Sequence, residues 1–158
     1  MDHHLRRSAL AERLAGLEVD ALLVTGLTNV RYLTGFTGSN AQLLVARDAG
    51  SADGAGVFFT DGRYTEQSRH EVPDMERVTY AGAFAEALGA QVSNLGIERL
   101  GFEAEHVTVR AHGRLSAGLG DGVELVACDD EVEHLRWIKV DDELELLNSA
   151  QAVTDQAF

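Results

Sequence analysis

Between Arg6 and Leu17 the apolar residues Leu10, Leu14 and Leu17 recur at helical spacing, with Arg6, Arg7, Glu12, Arg13 and Glu18 on the other sides, which predicts an opening amphipathic helix. Gly16 weakens its last turn, and after Asp20 the run Ala21-Leu22-Leu23-Val24 is continuously apolar, as in a strand buried on both faces. Thr28 to Leu33 then reads as a short helix with Thr28 or Asn29 as its N-cap, leading into a small-residue loop from Gly35 to Asn40. Leu43-Leu44-Val45 and Val57-Phe58-Phe59 form two strands around the turn-rich stretch Asp48 to Gly54, which predicts antiparallel pairing. Asp61-Gly62 ends the second of them. A helix from Arg63 to Glu71 must stop before Pro73, because the residue ahead of a proline is pushed out of the helical region.

From there strands and helices alternate: a strand near Arg77 to Tyr80, a helix from Phe84 to Leu95, a strand from Leu100 to Glu103, a helix from Thr108 to Leu119 and a strand from Val123 to Ala127. Such alternation is the sign of α/β layering. Gly118-Leu119-Gly120-Asp121-Gly122 ends a helix and precedes a strand, so it is a helix stop and turn rather than a phosphate-binding loop, which requires the opposite order. Asp129 to Trp137 carries Val132, Leu135 and Ile138, and Asp141-Asp142-Glu143 then places three carboxylates where the dipole of a new helix favours them. Apolar Leu146, Leu147, Ala150, Val153, Ala157 and Phe158 continue that helix to the last residue without a stop signal, so the chain is expected to be cut from something longer and its last helix to present an uncovered apolar stripe.

Composition narrows the function classes. A chain of 158 residues can bury a core as one domain without staples, and the lone Cys128 cannot form an internal disulfide. Without a leader-like or membrane-spanning run, the expected location is cytoplasmic. Thirteen Lys and Arg against 26 Asp and Glu give a net charge of −13, which repels phosphate backbones and anionic membranes, so neither nucleic acid nor membrane is an expected partner.

No residue set in the chain makes a catalytic centre. His70-Glu71 runs into Val72-Pro73 and cannot continue as a zinc-peptidase helix, His106 and His112 are six apart, and His3-His4 sits in a terminus expected to fray. Asp129, Asp130, Glu131 and Glu133 are read as helix caps and first-turn carboxylates rather than a cation site. Ser39 lacks the Gly-x-Ser-x-Gly elbow and has no assignable base. Phe36 stands among small polar residues, either as an exposed ring that meets a ligand or partner chain or as a plug for the core. Asp61 can cap the helix that follows it, with Arg63 paired to a carboxylate. The expectation is therefore no catalytic residue and no metal ligand in these residues.

Three segments, Asn29-Val30-Arg31-Tyr32-Leu33-Thr34-Gly35-Phe36-Thr37-Gly38-Ser39, then Phe59-Thr60-Asp61-Gly62-Arg63-Tyr64, then Leu135-Arg136-Trp137-Ile138-Lys139 before Asp142-Glu143-Leu144, stand in an order that strongly resembles the N-terminal domain of the creatinase/prolidase/aminopeptidase P family. The resemblance implies an α/β fold: a mixed sheet with flanking helices, ribonuclease H-like in layout, over residues 1–139. Residues 140–158 would be the linker and first helix of a missing pita-bread catalytic domain. It further implies a parent that is an Xaa-Pro aminopeptidase or dipeptidase with a dinuclear divalent centre, commonly manganese, held by two aspartates, a histidine and two glutamates of that second domain. By the same resemblance this domain helps build a homodimer, and the segment Tyr32 to Asn40 contributes to a partner's substrate entrance, with Phe36 as apolar contact beside Ser39 and Asn40. Asp61, Arg63 and Tyr64 match a motif read as structural. The scaffold also serves a creatinase-type amidinohydrolase and a non-catalytic histone-chaperone subunit, so an acidic assembly module that meets basic partners is the alternative expectation.

Overall fold

The computed structural model describes residues 2–47 and 56–157. Six strands, β1 (Ala21–Val24), β2 (Gln42–Ala46), β3 (Gly56–Asp61), β4 (Glu76–Tyr80), β5 (Arg99–Glu103) and β6 (Glu124–Cys128), form one sheet in the order β4-β3-β2-β1-β5-β6. β2 is antiparallel to both neighbours, while β1 with β5, β3 with β4 and β5 with β6 are parallel. One edge of the sheet therefore collects the carboxyl ends of five strands and the amino end of β2. The antiparallel pairing of the two expected strands is present; the turn between them, Asp48 to Gly54, falls outside the described residues.

Alternation along the strands splits the core in two. Leu22, Val24, Leu43, Val45 and Phe58 bury one face against Leu10 and Leu14 of α1 (His3–Leu14), Val30 and Leu33 of α2 (Leu27–Thr34) and Val132 of α6 (Glu131–Trp137). Ala21, Leu23, Leu44, Val57 and Phe59 bury the other against Leu88 and Val92 of α4 (Phe84–Asn94) and Leu115 of α5 (Val109–Leu119). Each fully buried Leu or Phe contributes roughly 1.5–3 kcal/mol. α3 (Thr65–Glu71) follows a short 3-10 turn, Gly62–Tyr64, and α7 (Asp141–Ala157) closes the described chain.

Several expectations shift at their edges. α1 starts at His3 because Asp2 accepts from the Leu5 N–H, and His3 Nδ1 lies 3.0 Å from the Tyr32 carbonyl, so the two histidines are helical rather than frayed. Neither Thr28 nor Asn29 caps α2; Gly26 occupies that position, and the capping group comes from elsewhere in the fold. Asp130 takes the N-cap position of α6 in a left-handed conformation without a side-chain capping bond. Gly120 ends α5 at φ +75°, the helix stop that its glycines predict.

For Phe36 the sequence leaves two alternatives open, and the ring takes the core one: it is 2% exposed and packed edge-on to Phe58 at 4.9 Å and Tyr64 at 5.6 Å. The backbone of Gly38 lies directly over it: a Cβ there would meet the Phe36 ring at 2.4 Å. Phe36→Ala should therefore cost about 3–5 kcal/mol of unfolding free energy, measurable by urea denaturation of the 158-residue chain. A loss below about 1 kcal/mol would mean that the ring is not a core residue.

Candidate functional site

The loop from Gly35 to Asn40 leaves the C-terminus of α2 and lies at the edge where β3 and β4 end, which brings Asn40 beside Asp61 and Tyr80, paired neighbours in the β3–β4 register. Asn40 Nδ2 donates to Asp61 Oδ2 at 2.5 Å and to the Tyr80 hydroxyl at 3.0 Å, while its carbonyl accepts from Thr60 Oγ1 at 2.7 Å. Gln42 closes the circuit, donating to Asn40 Oδ1 and accepting from the Tyr80 hydroxyl, each at 3.2 Å. One step earlier, the Ser39 and Tyr64 hydroxyls are 2.6 Å apart. At the start of the loop Thr37 gives both its N–H and its hydroxyl to Glu71 of α3, at 2.7 and 2.8 Å.

This arrangement joins two residue sets that the sequence keeps apart. Ser39 and Asn40, expected at an entrance, share one polar ledge with Asp61, Arg63 and Tyr64, read from the chain as structural. Asp61 caps the turn through the Arg63 N–H, as expected, and grips the Arg63 guanidinium at 3.0 and 2.7 Å; those bonds hold its carboxyl far below the usual carboxylate range. Arg63 itself stays 70% exposed. The Ser39 hydroxyl beside Tyr64 pulls the phenol below its ordinary value. The ledge is thus an exposed, pre-formed array of hydroxyl, amide and guanidinium groups, pinned by β3, β4 and α3. It holds no nucleophile with a base.

A second cluster, absent from the sequence reading, lies on the same edge. Glu103 ends β5, is 6% exposed, and accepts on Oε2 from the N–H groups of Thr25 and Gly26 at 2.5 and 2.7 Å, and on Oε1 from Asn29 Nδ2 at 2.7 Å. It is the missing cap of α2, supplied by a strand 77 residues away in sequence. Asn29 Nδ2 also donates to Glu133 Oε1 at 2.6 Å, and Arg136 holds Asn29 Oδ1 at 2.9 Å, which fixes the orientation of the amide. His106 lies 3.5 Å from Glu133 and over Gly26, where a Cβ would meet the ring at 2.7 Å. A lone acid closing the apolar run Leu100-Gly101-Phe102-Glu103 was the one available sequence signal.

Among the described residues Glu103, His106 and Glu133 bring ligand-type atoms within 4.8 Å of one another. Both carboxylates nevertheless point at the same amide nitrogen, and three groups do not make the five-ligand set of a dinuclear centre. These residues do not fit such a centre.

The tyrosines offer a direct check of the ledge. Burial pushes the Tyr32 phenol up whereas the Ser39 contact pulls Tyr64 down, so in a spectrophotometric titration Tyr64 should ionise before Tyr32. Ser39→Ala should remove the early phase. An unchanged titration curve in that variant would contradict the Ser39–Tyr64 bond.

Comparison with known proteins agrees with this architecture. A family model described as the Creatinase/Prolidase N-terminal domain matches residues 6–138. "Uncharacterized peptidase YqhT" of Bacillus subtilis (strain 168) is 38% identical over 142 residues, which are 90% of this chain and 38% of that protein. The structure of an Xaa-Pro dipeptidase from Bacillus anthracis superposes with a TM-score of 0.91 at 29% identity, over 99% of this chain and 42% of that one. The N-terminal domain of cytoplasmic peptidase PepQ from Mycobacterium tuberculosis H37Rv gives a TM-score of 0.75 at 39% identity, over 83% of this chain and 98% of that one. This chain thus spans well under half the length of the first two relatives and nearly the whole of the third. With the family model covering most of its length and the whole chain superposing on a solved relative at a TM-score of 0.91, the chain belongs to the creatinase/prolidase N-terminal domain family.

Proposed function

We propose that this chain is the non-catalytic N-terminal domain of a metal-dependent Xaa-Pro aminopeptidase or dipeptidase, and that it serves dimerisation and shapes a substrate entrance. The observation that carries the reading is the ledge: Ser39 is exposed, tied to Tyr64, and flanked by Asn40, Asp61 and Arg63 in one rigid polar surface. Groups held by second hydrogen bonds present donors and acceptors to a peptide at little ordering cost. In this reading the ledge faces the entrance of a partner subunit and orients proline-containing peptides, with Ser39 and Asn40 as the contacting side chains and Phe36 supporting the loop from below.

The dinuclear divalent centre, manganese by family resemblance, would lie in the remainder of a longer protein and would supply the activated water. α7 supports that connection. Leu146, Leu147 and Val153 are 55–69% exposed, an apolar stripe that another domain of a longer protein would cover, and α7 is tied to α1 by the 3.0 Å ion pair of Glu143 with Arg6. Among the described residues no helix is long and apolar enough to cross a membrane.

Kinetics of the longer protein test the proposal. With manganese and an Xaa-Pro peptide, Ser39→Ala and Asn40→Ala should each lower kcat/KM about two- to tenfold, the worth of one neutral hydrogen bond, with melting of the domain little changed for Ser39→Ala. The 158-residue chain alone should give no turnover. Unaltered kinetics in both variants, or hydrolysis by the isolated chain that a point change within it abolishes, would overturn the assignment.

A further inference from the structure

Next to the ledge, and sharing Gln42 with it, a groove of about 820 Å³ opens at the same sheet edge between α4 and α5. Its place follows from topology. β1 and β5 are adjacent and parallel, yet the chain leaves β1 into α2 on one face of the sheet and leaves β5 into α5 on the other. The crevice outside the carboxyl ends of two such strands is where open α/β sheets take small ligands, and this volume lies within the range of small-molecule sites.

The floor of the groove is apolar, built by Phe84, Val107 and Leu115, and its rim carries Arg110 and Arg114. These two arginines are four residues apart on α5 and so share one helix face. Of the ten other arginines, Arg6, Arg7, Arg13, Arg47, Arg63, Arg69, Arg99 and Arg136 are held in ion pairs with carboxylates, Arg77 donates to the Val72 and Met75 carbonyls, and Arg31 acts on the Glu71 carboxylate through its charge. The Arg110 and Arg114 side chains make no hydrogen bond or ion pair with any described residue. Against them the groove lining holds a single carboxylate, Glu86. In a protein of net charge −13, two unneutralised guanidiniums over an apolar floor are a local reversal of the field.

We propose that this groove binds a small organic anion, with a carboxylate or phosphate head on Arg110 and Arg114 and an apolar body on Phe84, Val107 and Leu115. The guanidinium fork matches either head in bidentate geometry, and the floor favours a ligand with a hydrocarbon or aromatic part. The proposal stands independently of the peptidase reading: the groove borders the ledge through Gln42, but the five side chains that would hold the anion make none of the ledge's hydrogen bonds.

The test is a titration of the isotopically labelled 158-residue chain at fixed ionic strength, followed by amide chemical shifts, with 3-phenylpropionate, phenyl phosphate and neutral 2-phenylethanol as probes. The result expected is saturable shifts at millimolar anion, centred on Phe84, Val107 and residues 109–115, with the alcohol much weaker. The Arg110→Gln/Arg114→Gln double variant, both positions being exposed, should keep its melting temperature and bind the anion about tenfold more weakly. The stronger of the two acids identifies the head group. Shifts scattered over other arginines, affinity equal to that of the alcohol, or binding unchanged in the double variant would overturn the proposal. So would self-association in sedimentation that the double variant abolishes while anion binding is undetectable, because the groove would then be a contact between copies.

Discussion

A buried carboxylate, Glu103, ringed by the N–H donors of Thr25, Gly26 and Asn29 and the Thr25 hydroxyl, organises one edge of this domain. Glu103 reaches from the end of β5 to the N-terminus of α2, where a glycine at the cap position leaves the first amides without a side-chain partner. The charge of Glu103 sits at the positive end of the helix dipole, and its two oxygens satisfy amides that would otherwise be orphaned in the interior. Asn29 extends the contact to Glu133 and Arg136, so one acid couples β1, β5, α2 and α6. Gly26 is required for the same reason: the His106 ring occupies the volume a side chain would fill.

The position of α2 determines where its C-terminus delivers the loop from Gly35 to Asn40. Thr34 Oγ1 accepts from the Phe36 N–H and steers the chain downward, Phe36 anchors it in the core, and the polar residues that follow are held on the surface by Tyr64, Asp61, Thr60 and Glu71. A loop of glycine, threonine, serine and asparagine thereby becomes a rigid ledge, with its flexibility removed by bonds to four other segments. On the opposite side Arg6 lies 4.0 Å over the Tyr32 ring and also pairs with Glu143, so α1, α2 and the start of α7 share one cation.

What could be read from the chain follows the range of each interaction. β1 is legible residue for residue because four consecutive apolar side chains in a short run leave little other choice, and Asp61 as a cap because the N–H it accepts from is two residues away; that the carboxylate held by Arg63 is Asp61 itself comes from the fold. The cap of α2 is not legible, since its acceptor lies 77 positions downstream and only the fold brings it close. Phe36 illustrates the other limit. Its polar neighbours in sequence leave exposure and burial equally open, and the choice is made by Phe58 and Tyr64, which only the fold brings against the ring. Ser39 and Tyr64, 25 apart, were each noticed for different reasons and joined only by the register of the sheet edge.

The dependence of this edge on Glu103 can be measured by native-state amide exchange in Glu103→Gln. Glutamine matches the shape of glutamate but replaces one acceptor oxygen with a donor, so it must turn an NH₂ toward either the Thr25 and Gly26 amides or Asn29. A buried donor left unpaired costs about 1–3 kcal/mol. Protection of the Thr25 and Gly26 amides should fall by about that amount and exchange in the Gly35–Asn40 loop should accelerate with it, while β3 and α4 keep their protection. Unchanged protection at Thr25, Gly26 and the loop would contradict that dependence.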